Sequence, residues 1–159
     1  MTQHDSTPMF SGPLGFLSNF DETPFFVPQL GGEAASGEHA FNALKTLDPA
    51  EQRDVLAAPT PSLAKRQGRR VALRPGWDTG VRVWAMQRVL TAKYALPGLA
   101  QRLVDTGDLE LVETNHWHDQ FWGSCFCPRH EPVPGANMLG ELTMAVRAHL
   151  STVEGVSRD

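Results

Sequence analysis

A chain of 159 residues with 41% hydrophobic composition is long enough to bury one core and too short for two comfortable ones. Its formal net charge of -4 gives no overall electrostatic case for nucleic acid or an anionic membrane as the main partner. No apolar run approaches the ~20 residues that span a bilayer, and Met1 to Pro8 has no signal-peptide pattern, so a cytoplasmic location is expected.

Residues 1–8 and 151–159 are polar and rich in small side chains, which predicts flexible termini around one domain at 9–150. From Phe10 to Phe20 apolar anchors alternate with turn formers, the pattern of a strand, a tight loop and a packed return. Ser18 and Asn19 sit between those anchors, where short polar side chains either orient a ligand or close an ordinary turn. The stretch from Pro24 to Pro28 reads as a short strand that its prolines confine to an edge.

Ser36 is a candidate N-cap for a helix running to about Leu47. Glu38, Asn42 and Lys45 then stand at i, i+4 and i+7, on one helical face. Glu38 and Lys45 are about 10 Å apart along the axis, but helical side chains lean toward the N-terminus, so the amine can reach back. On spacing alone, a solvated charged face is the simpler reading.

Asp48-Pro49-Ala50-Glu51 has the form of a capping box and starts a second helix to about Ala58. Thr60-Pro61 repeats the cap-then-proline pattern and starts a third, displaying Lys65, Arg66 and Arg69. With Arg70 and Arg74 these form a basic run that either holds a phosphate or is solvated. Asp78 or Thr79 can cap a longer helix to about Tyr94, with Val83, Met86, Leu90 and Tyr94 as its core stripe. Pro97 begins a helix stopped by Gly107, and Leu109 to Thr114 alternates as a half-buried strand does. Asn115 to Ala136 is a long connection dense in His, Trp, Cys and Pro, of the kind that carries function. Asn137 caps a last helix with Leu139, Leu142, Val146 and Leu150 along one side. The architecture expected is α+β, mainly helical, with a small sheet.

The chain has no Walker A loop, dinucleotide fingerprint, nucleophile elbow or His-Glu-x-x-His. Cys125-Phe126-Cys127 with His130, and His116 with His118, can be drawn as a zinc site. The Cys-x-Cys spacing is shorter than usual and no second pair exists, so no metal and no cofactor are expected. Two cysteines this close are also too few for a secreted disulfide framework. In His116-Trp117-His118-Asp119-Gln120-Phe121-Trp122-Gly123, an indole face can stack on a base, a carboxylate can bind hydroxyls and Gly123 lets backbone come close. A tryptophan capping the core is the competing reading.

Six motifs fall in the order of the NADAR, or YbiA-like, family. They are Glu38-His39-x-Phe41 through Lys45; Gly68-Arg69 with Trp77; Met86 with Lys93; Thr106-Gly107-Asp108 with Leu111-Val112-Glu113; Asp119-x-x-Trp122-Gly123; and Gly135-x-Asn137-x-Leu139-Gly140 with Met144 and Arg147. The chain resembles that family over about residues 10–149. The resemblance implies a YbiA-like fold and hydrolysis of an N-glycosidic bond in a ribosyl-phosphate compound. Removal of ADP-ribose from ADP-ribosylated guanine is one branch, and cleavage of phosphoribosylaminopyrimidine intermediates of riboflavin synthesis is the other. A lone domain points to the first, and a non-catalytic ADP-ribose-binding module is the alternative of a different class. The partner implied is a nucleotide-like small molecule or ADP-ribosylated guanine in nucleic acid, with no membrane and no obligate protein partner.

Carried onto this sequence, the resemblance makes Glu38, Lys45 and Asp119 catalytic. It makes Ser18, Asn19, Asn42, Arg66, Arg69, Trp84, Trp122 and Gly123 substrate-binding. Three positions depart from it: Asn42 stands for Gln, Gly37 for Ser or Thr, and His118 for Asn. Lys45 is implied as the nucleophile at the sugar carbon, which requires a neutral amine, whereas a close Glu38 carboxylate favours the ammonium form. The helix dipole also favours an anionic Glu38 by about 0.3 to 1 kcal/mol, which points to a base.

Overall fold

The structure, a computed structural model, describes residues 10–156, with side chains to 153. The expected flexible segment 1–8 lies outside the described residues. The chain divides into two compact units, residues 19–101 and residues up to Ser18 together with those from Arg102. As expected, the fold is mainly helical with little sheet, and the strands form two separate pairs.

In the unit of residues 19–101, β1 (Phe25–Val27) pairs antiparallel with β2 (Gly32–Ala34), Phe26 facing Glu33. The three helices α1 (Gly37–Ala43), α2 (Pro49–Leu56) and α3 (Pro61–Gly68) follow. Their caps are those read from the sequence: Ser36 Oγ accepts from His39 N at 3.2 Å, Asp48 Oδ1 from Ala50 N at 2.8 Å and Thr60 Oγ1 from Leu63 N at 3.2 Å. The capping box does not close. Glu51 instead accepts from Thr46 Oγ1 at 2.6 Å and from Ala72 N at 3.1 Å, tying α2 to the chain after α3. Ala43, Val55, Ala58 and Ala64 form the apolar contact among the three helices, flanked by Leu30, Leu56 and Val71. A core of alanines lets backbones approach closely.

Helix α4 (Val81–Lys93) begins at Gly80, whose φ of 132° few other residues adopt; Asp78 and Thr79 belong to a 3-10 turn before it. Of the expected stripe Met86, Leu90 and Tyr94 are buried and Val83 is half-buried; Ala85, Val89 and Lys93 widen the buried face, which packs against α1 and β1. Helix α5 (Pro97–Val104) carries the chain out of this unit, and Gly107 follows it in the left-handed region at φ 60°.

The stretch from Phe10 to Phe20, which runs from the other unit into residues 19–20, contains no strand. Residues Gly12–Leu17 form a 3-10 helix that buries Phe16 and Leu17, with Phe10 buried before it. Of the strand expected at Leu109 to Thr114, only β3 (Thr114–Asn115) exists, pairing in parallel with β4 (Ser124–Cys125). Residues 111–113 are held by a side chain instead: Asn137 donates through Nδ2 to Leu111 O at 2.8 Å and accepts from Glu113 N at Oδ1 at 3.0 Å. Asn137, at φ 49°, stands at the start of the last helix, where its carbonyl accepts from Glu141 N at 2.9 Å. The helix, α6 (Met138–Val156), continues into the segment read as a tail from residue 151. Gly140 has no room for a Cβ, which would strike Leu111 O and the Asn137 amide.

Candidate active site

Helix α1 ends at Ala43, short of the expected Leu47, and Leu44 is its C-cap. Pro49 keeps Asp48 out of the helical region, and the chain tightens as Lys45 N donates to Asn42 O at 3.3 Å. Lys45 is therefore not the third member of a helical stripe. It lies on the turn beyond, fixed by its carbonyl, which accepts from Arg74 N at 2.7 Å.

The amine and the Glu38 carboxyl nevertheless act on each other. Glu38 is 9% exposed in the first turn of α1, and its backbone N–H donates to Asn19 O at 2.9 Å. Burial pushes its carboxyl above the ordinary value of 4.5, with Lys65, the Asn42 amide, Lys45 and His39 pulling it back. Burial likewise lowers the Lys45 amine from 10.5; Glu38 opposes this, while Lys65 and Arg69 add to it. Desolvation is the largest cause for both, so each group is moved toward its neutral form. Burial thus acts against the dipole, which favours an anionic Glu38. It also eases the conflict between a neutral nucleophile and a nearby acid.

Asn42 is fully buried, so it does not offer the ligand contact expected of it. Its Nδ2 donates to Glu38 Oε1 at 3.0 Å and to Glu38 O at 2.8 Å. A Cβ at Gly68 would collide with the Asn42 side chain, so Gly68 is what lets α3 close over this amide. Asn42 is a positioning residue for Glu38.

Asn19 is buried beside Gly37; a Cβ there would come within 2.6 Å of Asn19 Oδ1, so Gly37 and Asn19 share one space. Asn19 Nδ2 donates to Met86 Sδ at 3.4 Å. The residue thus fixes where α1 starts. His39, wholly buried, donates through Nε2 to Ala58 O at 2.9 Å and meets Ser36 Oγ at 2.7 Å, which pins α1 to the end of α2.

Of the basic run, Lys65 and Arg69 supply the charge felt at the pair; Arg66 stands exposed on α3. Lys65 belongs to the basic run that the sequence offers as a phosphate site, although the resemblance assigns only Arg66 and Arg69 to substrate. Aromatics accompany the cations, with Lys45 Nζ 5.6 Å from the Phe41 ring centre and Lys65 Nζ 5.8 Å from that of Phe20. Trp84 is exposed, and the Arg74 guanidinium lies 5.5 Å from its ring centre.

In the other unit, half-buried Ser18 ends the first 3-10 helix. Asp119 Oδ1 accepts from Phe121 N at 3.1 Å and Trp122 N at 2.8 Å, so this carboxylate shapes the loop that presents Trp122. Phe121 packs edge-on to the Trp122 ring, centres 4.8 Å apart. Gly123 does not offer open backbone to a ligand, because a Cβ there would strike Glu113 O. The close approach it permits is between two stretches of this chain.

The sequence pattern of the NADAR domain matches residues 9–151. Escherichia coli N-glycosidase YbiA is 31% identical over 144 residues, 89% of this chain and 84% of that protein. A riboflavin biosynthesis protein of Vibrio vulnificus is 34% identical over 139 residues, 86% of this chain and 35% of that longer protein. The NMR structure of E. coli YbiA superposes with a TM-score of 0.75 at 31% identity, covering 91% of this chain and 82% of that one. By pattern, by identity and by fold, the chain belongs to the NADAR domain family.

Proposed function

We propose that the chain hydrolyses the N-glycosidic bond of a ribosyl-phosphate compound, with Glu38 and Lys45 as catalytic residues. The observation that carries this reading is the acid–amine pair, both members shifted by burial toward the forms that can give a proton and attack a carbon. The printed activity of the E. coli relative, N-glycosidase, supports the same reaction class.

Breaking the bond leaves an electron pair on the base nitrogen and positive charge on the anomeric carbon. A protonated Glu38 gives its proton to that nitrogen. The Lys45 lone pair bonds to C1′ as the bond to the base breaks. The ring oxygen then departs with a proton from the amine, leaving an iminium. Water adds at C1′, the sugar leaves, and Glu38 recovers the proton. Asp119 is assigned to ribose hydroxyls and Trp122 to the base by motif order.

Lys65 and Arg69 are proposed to hold phosphate, with Arg66 and Arg70 extending the basic run along and after α3. Several adjacent cations suit a diphosphate, so ADP-ribosylated guanine is put first. The phosphoribosylaminopyrimidine branch is the second reading, favoured by the name of the Vibrio relative. A cytoplasmic location is part of the proposal, in line with two cysteines that stand as free thiols.

Incubation with ADP-ribosylated guanosine and, separately, a phosphoribosylaminopyrimidine, followed by mass spectrometry, tests this. Released guanine or guanosine supports the first branch and released aminopyrimidine the second. Substrate that is retained intact by the protein would make it a binding module.

A further inference from the structure

The loop between β4 and α6, together with the end of the segment after β3, gathers four ligating side chains that the chemistry above does not use. His118, Cys125, Cys127 and His130 each present one donor atom, and all four atoms lie within 4.8 Å of one another. We propose that they bind one zinc ion in a closed, tetrahedral Cys2His2 site.

The distances carry the assignment. With Zn–N near 2.05 Å and Zn–S near 2.3 Å, tetrahedral geometry requires about 3.3 Å between two nitrogens and about 3.6 Å between sulfur and nitrogen. His118 Nδ1 and His130 Nδ1 are 3.3 Å apart, and Cys127 Sγ lies 3.4 Å from the first and 3.2 Å from the second. The nitrogen–nitrogen edge therefore matches, and the two sulfur–nitrogen edges are slightly short. Hydrogen bonds alone account for this arrangement poorly, because three mutually facing atoms must share a limited set of protons. A cation at their centre serves all of them.

The backbone is built toward the same point. His118 is held at φ 71°, an uncommon conformation for a residue other than glycine, and it aims the ring at the thiol. Cys125 is fixed in β4, and Cys127 N donates to its sulfur at 3.5 Å, a bond suited to stabilising a thiolate. His130 N donates to Cys127 O at 2.9 Å, closing the turn that turns Cys127 and His130 to one side.

The surroundings supply a reason for a metal. Trp117, Phe126 and Val133 are exposed, so much of the apolar surface of this loop stays in water. Long segments without a core gain order from a metal clip. Two thiolates and two imidazoles select zinc over magnesium or calcium, and four protein ligands leave no open position. The site is thus structural. It would hold the segment that carries Asp119, the residue directly after His118.

The test uses the full chain, purified with reductant and without chelator, with zinc measured by elemental mass spectrometry. One zinc per chain is expected. After chelation, added cobalt should give the intense visible bands of a tetrahedral ion together with a thiolate charge-transfer band. Cys125→Ser with Cys127→Ser should abolish both, and His116→Ala, outside the cluster, should leave both unchanged. Chelated protein should be cut by protease within residues 115–137 faster than the zinc form. If the cysteine variant does not fold, the cobalt spectrum of the wild-type chain decides: the charge-transfer band supports the site, and its absence overturns it. Wild-type protein that retains no zinc, or a Cys125–Cys127 disulfide that persists in reductant, also overturns it.

Discussion

The α1–α3 region and the loop between β3 and α6 collect reactive side chains by opposite means. In the first, helices with an alanine core close over Glu38 and Asn42, and burial itself sets the proton affinities of the acid and of Lys45. In the second, buried thiols meet imidazoles nearer the surface, and turns with one left-handed residue bring four ligand atoms together. Burial tunes acids and bases, whereas convergence of soft donors makes a metal site. The two regions should therefore fail differently when perturbed.

The largest effect belongs to the amine. Lys45→Ala should reduce turnover by about 10^3-fold or more while leaving the thermal melt near that of wild type, because a half-buried lysine contributes more to chemistry than to packing. Borohydride should trap the sugar on the wild-type protein and not on the variant. Turnover at the wild-type rate in Lys45→Ala removes the covalent route. Zinc content should be the same in both proteins, which separates the two regions in one preparation.

Next in size is the closure itself. Gly68→Ala places a Cβ against the Asn42 side chain, in a contact between helices that cannot easily shift. Overpacking of this kind costs about 1 to 3 kcal/mol. Denaturant unfolding should report that loss, and activity should fall with it because the Asn42 amide would leave the Glu38 carboxylate. An unchanged midpoint would mean that α3 does not press on Asn42.

How much of this was legible in the residues differs between the regions for the same reason. Ser36, Asp48 and Thr60 announced their helices because caps are local chemistry. Glu38, Asn42 and Lys45 were legible as a group through i, i+4 and i+7 spacing, and the family motif turned that group into a candidate site. The helix end at Ala43 and the neutralising burial were not legible, since both depend on what packs over α1. Nor was the role of Asn42, which follows from a glycine 26 positions away in α3. In the loop, Cys-x-Cys spacing argued against a metal, because spacing rules assume a regular turn. The His118 conformation and the path of the loop, which no local pattern encodes, turn the donors inward.

Glu38→Gln sharpens the comparison from the stability side. A carboxyl whose folded value lies above 4.5 stabilises the fold fully below that pH, and the contribution is lost as pH rises through the folded value. Wild type should therefore lose stability relative to Glu38→Gln on going from acid to neutral pH, and the variant should be the more stable at pH 7 while inactive. Parallel stability curves across that range would show that Glu38 is not held in a desolvated site.

The smallest effect is the most specific. Lys65 lowers both members of the pair, so a variant without its charge, Lys65→Met, should let both rise. The active state of the pair holds one proton, whether on Glu38 or on Lys45, so the rate climbs through the lower of the two pH limbs and falls through the higher. Both limbs should move to higher pH in Lys65→Met, shifting the whole profile without changing its shape. Added salt should move the wild-type profile the same way, because screening weakens the Lys65 field, and should move the variant less. Movement of only one limb would mean that Lys65 faces one group and not the pair. An unmoved profile with a raised KM would make Lys65 a phosphate contact alone.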